Sequence, residues 1–222
     1  MSIKDSGSST TANVFTLAPG SYGNITINGA DVVHVSAGTY AINSINFAQD
    51  GQFVVDSGPV ILNLAGNCTV AGCPTESGIP STVTGVSSST NVNEVIYGAG
   101  NAGFNGCSGG MTANPNVYST SNIAKACGSA QTPFSGIPSQ MQIVYGGTNL
   151  IRLGGMPNAL VFYAPAAGYY TPGAPVGLFG SIVVKNYEDD SGSPFHYDLS
   201  LQTTVLQANG FKPIGGFGWS KF

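Results

Sequence analysis

Charge is what this chain has least of: only about 7% of its 222 residues are Asp, Glu, Lys or Arg, where roughly 25% is usual for soluble globular domains. The six basic residues are scattered from Lys4 to Lys221, Arg152 is the single arginine, and the formal net charge is −4. That distribution leaves no electrostatic footprint for nucleic acid or an anionic membrane surface, and neither partner is expected. No apolar run approaches the ~18 residues of a membrane span, so insertion of this chain in a bilayer is not expected either. A sustained 3.6-residue hydrophobic period is missing, and long helices are excluded with it. The opening Met1-Ser2-Ile3-Lys4-Asp5-Ser6-Gly7 is polar where a signal peptide has its apolar centre, so export is expected to use a segment outside these residues.

What is present is turn chemistry and short apolar runs. The 32 glycines and 13 prolines accompany 42% hydrophobic residues, a combination that fits frequent turns joining short strands and not a disordered chain. The length and even composition predict one domain, 1–222, with a loop-rich insertion at 67–138. All four cysteines, Cys68, Cys73, Cys107 and Cys127, fall in that insertion. An even count in a Ser/Thr/Asn/Gly-rich chain favours disulfides and an oxidising compartment. Of the three possible pairings, Cys68 with Cys73 and Cys107 with Cys127 closes the shortest loops. A zinc site would need two pairs spaced about C-x₂₋₄-C; Cys68 and Cys73 reach that limit, but nineteen residues separate Cys107 from Cys127.

From Tyr22 to Gly66 strand-sized runs alternate with Gly, Ala, Ser and Asn: Ile25-Thr26-Ile27, Val32-Val33-His34-Val35, Tyr40 to Phe47, Phe53-Val54-Val55 and Val60 to Leu64. Similar runs recur at 20 residues (Ile25 to Ile45), 21 (Val33 to Val54) and 17 (Ile45 to Leu62), and again beyond the insertion at 18 (Val144 to Phe162) and 21 (Phe162 to Val183). Spacing of this kind predicts an all-β, right-handed parallel β-helix, or β-solenoid, with at least two strands per turn. An antiparallel sandwich is the rival, and the turn dipeptides Asn28-Gly29, Asn105-Gly106 and Asn209-Gly210 are its best support. One short helix is expected at Ser121 to Cys127, with Ser121 as N-cap and Gly128 just past its end.

The succession Gln142-Ile143-Val144-Tyr145-Gly146, Ala159-Leu160-Val161-Phe162-Tyr163-Ala164-Pro165, Gly180-Ser181-Ile182-Val183-Val184-Lys185 and Phe195-His196-Tyr197-Asp198 resembles the β-solenoid domain of bacterial pilus-assembly-like surface proteins. Pro19-Gly20-Ser21-Tyr22-Gly23-Asn24-Ile25, Ala37-Gly38-Thr39-Tyr40 and Gly58-Pro59-Val60 look like its opening turns. The resemblance implies an extracellular or cell-surface location and no established reaction. The membrane-anchoring helix found in that family has no counterpart here.

Candidate sites are sparse, and no cofactor is expected. Gly98-Ala99-Gly100-Asn101-Ala102-Gly103 matches G-x-G-x-x-G after a strand-like Val95-Ile96-Tyr97, but no helix start follows and no acid lies about 20 residues on. A glycine-rich loop is the better account. His196 and Asp198 lie two apart on an expected strand and share a face, which suits a hydrogen-bonded polar pair more than half a catalytic site. Glu188-Asp189-Asp190 is the densest acidic run, a solvated turn or a calcium loop. Polysaccharide-cleaving β-helices need apposed carboxylates or an acid with a basic partner; here only Asp189, Asp190 and His196 are available for such chemistry. Tyr169-Tyr170, in a Gly/Pro-flanked stretch that reads as a loop, and Trp219 are the aromatic candidates for surface contact.

These features predict a non-enzymatic structural or adhesive protein, with other surface or pilus proteins, glycans or its own copies as partners. The alternatives are a polysaccharide-active β-helix enzyme using Asp189, Asp190 and His196, and a passive glycan- or ice-binding face, although Thr26 and Thr39 do not share the register that an ice-binding array needs. A solenoid has two open ends, and the tail Phe211 to Phe222, with Phe211, Phe217, Trp219 and Phe222, is expected to cap the last coil or join copies end to end.

Overall fold

A computed structural model of the chain describes residues 2–3, 13–29, 31–48, 51–65, 73–98, 103–105, 138–153, 158–172, 178–190, 192, 195–197 and 201. Apolar residues at every second position, rich in Ile, Val and Phe, pleat into strands that turn one side chain inward and the next outward. The strands wind as a parallel β-solenoid of about six turns. Three sheet faces make up each turn, visited in the same order. On the first face lie β2 (Val14–Leu17), β4 (Val32–Val35), β6 (Gln52–Val55), β10 (Gly103–Asn105), the beginnings of β13 (Asn158–Thr171) and β14 (Leu178–Asp189), and β15 (Phe195–Tyr197). The second face holds the beginnings of β3 (Gly20–Ile27) and β5 (Gly38–Phe47), then β7 (Val60–Leu64), β11 (Met141–Tyr145) and the middles of β13 and β14. The third holds β1 (Ser2–Ile3), the ends of β3 and β5, β9 (Val92–Gly98), β12 (Leu150–Arg152) and the ends of β13 and β14.

Register stacks like on like inside. Ile25, Ile45, Ile96, Ile151 and Tyr169 form one inner column on the third face, and Tyr40, Leu62, Ile143 and Phe162 another on the second. Val33, Phe53 and Phe104 continue Phe15 on the first. Between them Phe47 meets Phe53 and Phe104 edge to face at 5.9 and 5.3 Å. Each such fully buried side chain contributes roughly 1.5–3 kcal/mol over its exposed state. Corners are sealed by hydroxyls: Tyr40 accepts the Ser36 N–H at 3.1 Å and faces the Leu17 and Ser36 carbonyls, and Tyr145 does likewise with Asn149. At the step from first to second face, Gly180 has φ +134°, and a Cβ there would lie 1.9 Å from the Leu160 carbonyl oxygen, so only glycine fits.

Several expectations change. Three strands per turn meet the expected minimum of two. Ile25 and Ile45 are register partners as expected, but Val33 pairs with Phe53, Val144 with Tyr163 and Phe162 with Ile182, while Ile45 and Leu62 sit on different faces. Corners of unequal length shift a repeat by one residue, and one residue exchanges inside for outside. The interval 67–138 is not a single excursion, because β9 and β10 within it return as coil strands on the third and first faces. Asn28-Gly29, with Gly29 at φ +58°, turns between coils and not within a hairpin, since β3 and β5 are parallel. The helix expected at 121–127 lies outside the described residues; the helix seen is the single turn α1 (Ser81–Thr84).

Candidate functional site

Each face has a different outer surface. On the first, β4 and β6 are buried on both sides. There His34 Nδ1 sits 2.5 Å from Asp56 Oδ1, and its Nε2 is buried without a hydrogen-bond partner. His34 and His196 stand at the same register position of the first face, linked through the backbones of Val54, Asn105, Ala159 and Phe179. Five coil steps separate them, roughly 24 Å at about 4.8 Å per step, so the two histidines form no common site. The second face is open along one row, although Gln142 beside it is buried with its Nε2 donating to the Ser139 carbonyl at 3.1 Å. That outer row, Ser21, Ala41, Asn63, Val144, Tyr163 and Val183, is exposed along six coils.

The third face carries the buried charge. After β7 the chain leaves the coil, and residues 73–91 fold back as a flap over the outer side of the third face. Its β8 (Thr75–Glu76) pairs antiparallel with β9, Thr75 opposite Asn93 and Glu76 opposite Val92. Its α1 lies on later coils: Ile79 and Val83 pack with Leu150 and Tyr170 in a second, smaller apolar cluster. Gly168 makes room for this contact, since a Cβ there would meet Val83 Cγ1 and the Val83 carbonyl oxygen at 2.8 Å. Asn186 Nδ2 donates to that carbonyl at 3.2 Å, and Thr82 Oγ1 donates to Glu188 Oε2 at 2.8 Å.

Beneath the flap Glu94 is fully buried. A register shift in the β9–β12 pairing sets Glu94 against Leu150 while Ile96 meets Ile151, and the irregularity keeps Glu94, Val95 and Ile96 all covered. Neither carboxyl oxygen of Glu94 has a hydrogen-bond donor, and the carboxyl of Glu76 lies within hydrogen-bonding reach. Arg152 Nε approaches Glu76 Oε2 at 2.8 Å, off the hydrogen-bond axis, so the contact is an ion pair by charge and distance. The guanidinium also stands 4.9 Å over the Tyr97 ring and points Nη1 at the Gly98 carbonyl. Burial, then the charge of Glu76, pushes the Glu94 carboxyl up to about 9, against a smaller opposing pull from Arg152. With Glu94 protonated, one carboxylate faces one guanidinium and the cluster is neutral.

No protein family, characterised protein or solved structure matches this chain. Its chemistry therefore rests on the geometry alone. Among the described residues no group of three or more His, Cys, Asp or Glu side chains is placed to hold a metal ion, and no helix is long and apolar enough to cross a membrane. Of the glycine-rich motif, Gly98 ends β9 on the third face and Gly103 begins β10 on the first, and residues 99–102 lie outside the described residues.

The residues singled out from sequence are dispersed. Tyr169 and Tyr170 are not loop residues exposed for contact: both lie in β13, Tyr169 in the inner column and Tyr170 under the flap, at 1% and 8% exposure. The glycine that suggested a loop is the one that admits Val83. Asp189 ends β14 opposite Thr171. Asp190 follows in a turn, where its Oδ2 accepts the Tyr170 hydroxyl proton at 2.7 Å. The hydroxyl's own pKa is raised to about 12, by burial first and then by that hydrogen bond and charge. His196 lies on the first face opposite Phe179, whereas Asp189 closes the third. Asp198, Trp219, Cys68, Cys107 and Cys127 lie outside the described residues. Cys73 is disulfide-bonded, and its Sγ is 4.0 Å from Asn43 Nδ2. Sequence reading passed over Glu76, Glu94 and Arg152. The available signal was Val92-Asn93-Glu94-Val95-Ile96-Tyr97, one acid inside an apolar strand, together with the single arginine.

Proposed function

We propose that this chain is a structural or adhesive solenoid of the cell surface or extracellular space, which engages its partner through the second face. The observation that carries the reading is that outer row: one line of side chains exposed over six coils, passing from Ser21, Ala41 and Asn63 to Val144, Tyr163 and Val183, the last three 39–45% exposed. Parallel sheets are ordinarily covered on both sides, and an exposed apolar row with polar neighbours is a contact surface. Low charge and the resemblance to pilus-assembly-like surface domains support the same reading. The partner on this face is then a pilus or other surface protein or a glycan, while further copies of this chain would join end to end through the open ends of the coil. Right-handed winding is the sense expected of parallel crossovers, and the Cys68–Cys73 and Cys107–Cys127 bridges would brace the excursions from the coil. The non-enzymatic part of the reading draws support from the buried carboxylates and from the separation of His196 and Asp189 onto different faces.

The test compares adhesion to cells and to a glycan panel for the native protein and for Tyr163→Ser with Val183→Ser. Retention falls at least ten-fold, with circular dichroism and melting temperature unchanged. Undiminished retention rejects the second face as the contact surface, and release of reducing ends or unsaturated sugars from the panel overturns the non-enzymatic reading.

A further inference from the structure

We propose that Glu94 and Glu76 share one buried proton that holds the flap closed on the third face, so that the flap is a latch released when base removes the proton. Glu94 belongs to the coil and Glu76 to the flap, and β8 pairs with β9 immediately beside them. The two carboxyls therefore meet at the seam between a part that stays and a part that leaves. Two carboxylates in contact are repulsive, whereas an acid and a carboxylate donate and accept one hydrogen bond. Glu94 is fully buried and neither of its oxygens meets an N–H or hydroxyl donor, which leaves Glu76 as its partner.

The groups around the pair are few. The flap contributes Glu76. Arg152 comes from β12 and is committed to Glu76, the Tyr97 ring and the Gly98 carbonyl. Tyr97 comes from β9 itself. From β13 comes Tyr170, whose hydroxyl is turned to Asp190 just beyond β14, and Glu188 of β14 is occupied by Thr82. No second cation faces the pair from these elements, so loss of the proton leaves two carboxylates against one guanidinium, with the Glu94 carboxylate fully buried. Hydrating them requires β8 to separate from β9. The apolar contacts of α1 with Leu150 and Tyr170 oppose that separation, and the coil beneath, with its own core, stays intact. The high proton affinity of Glu94 puts release in the alkaline range and keeps the flap shut at neutral and acid pH.

The experiment is carried out on the full chain with ¹³C-carboxyl-labelled glutamate, following the side-chain titrations together with amide-exchange protection of residues 75–91 relative to those of β13. The Glu94 carboxyl titrates near pH 9, and flap protection relative to β13 falls at least ten-fold between pH 7 and pH 10. Glu94→Gln, which keeps a donor toward Glu76 but no ionisable proton, holds its relative protection constant over that range. Glu76→Gln lowers the Glu94 midpoint by at least one pH unit, because a neutral neighbour replaces the carboxylate. The proposal is overturned by a Glu94 midpoint in the ordinary range of 4 to 5, by flap protection that does not respond to pH, by the same response in Glu94→Gln, or by an unmoved Glu94 midpoint in Glu76→Gln. Should Glu94→Gln fail to fold, the native titration and the Glu76→Gln midpoint decide alone.

Discussion

The second and third faces are stretches of the same strands: β3, β5, β13 and β14 each run from one to the other. One ends bare and the other covered. On the second face one outward row, Ser21, Ala41, Asn63, Val144, Tyr163 and Val183, is exposed throughout. On the third they are Thr26, Asn46, Tyr97, Arg152, Tyr170 and Glu188, all wholly or partly buried. The difference lies in one excursion of the chain, residues 73–91, and in the glycine at 168 that lets it settle. A solenoid face is thus a neutral platform, and whether it becomes core or contact surface depends on what the corners send over it.

The largest way to break this contrast is to strip the charge balance beneath the flap. Arg152→Met removes the one cation that the described residues place beside Glu76 and Glu94 and is expected to destabilise the protein by about 3–5 kcal/mol, the cost of an uncompensated buried charge; urea denaturation followed by far-ultraviolet circular dichroism measures it. Next comes the seat of α1. Gly168→Ala inserts a Cβ at 2.8 Å from Val83, and overpacking of this kind costs about 1–3 kcal/mol, read as a lower melting temperature and greater exchange in 75–91.

The pH dependence sharpens the comparison, since the second face has no counterpart to Glu94. A carboxyl whose folded pKa is raised to about 9 from an ordinary value of 4.5 binds its proton in the folded state and releases it in the unfolded state between those limits. Stability from this group is therefore full below about pH 4.5 and declines as pH rises toward 9, with a slope of at most about 1.4 kcal/mol per pH unit. Native protein is expected to melt progressively lower from pH 5 to pH 9, and Glu94→Gln to show a flatter profile; parallel profiles refute the assignment. The smallest effect belongs to the bare face. Tyr163→Ser and Val183→Ser are each expected to change stability by no more than about 0.5 kcal/mol, as surface substitutions do, and a cost above 2 kcal/mol for either would mean that this face too is covered.

Much of the coil could be read locally. Alternation in Ile25-Thr26-Ile27 and the apolar runs Val32 to Val35 and Val60 to Leu64 mark strands because side-chain direction in a strand has a period of two. The covered site was much less legible. Ala166-Ala167-Gly168-Tyr169-Tyr170-Thr171-Pro172-Gly173 has the punctuation of a loop, yet Gly168 serves a contact with Val83, 85 positions earlier in the chain. Glu94 carries a trace of its role in its apolar neighbours, but Glu76 and Arg152 become its partners only once β8 folds over β9 and β12 stacks beneath it.

By itself the sequence determined that this chain builds short strands joined by tight turns, that little charge is available to it, and that its apolar residues repeat at about the length of one coil. These properties follow from neighbours a few residues apart. Only the tertiary structure decided that each coil has three faces, which residues stack in each column, and that Glu94, Glu76 and Arg152 meet under a flap while Val144, Tyr163 and Val183 stay exposed. Stacking depends on the number of residues in every corner, and covering depends on where a distant segment lands. Neither quantity is contained in the two-residue period of a strand.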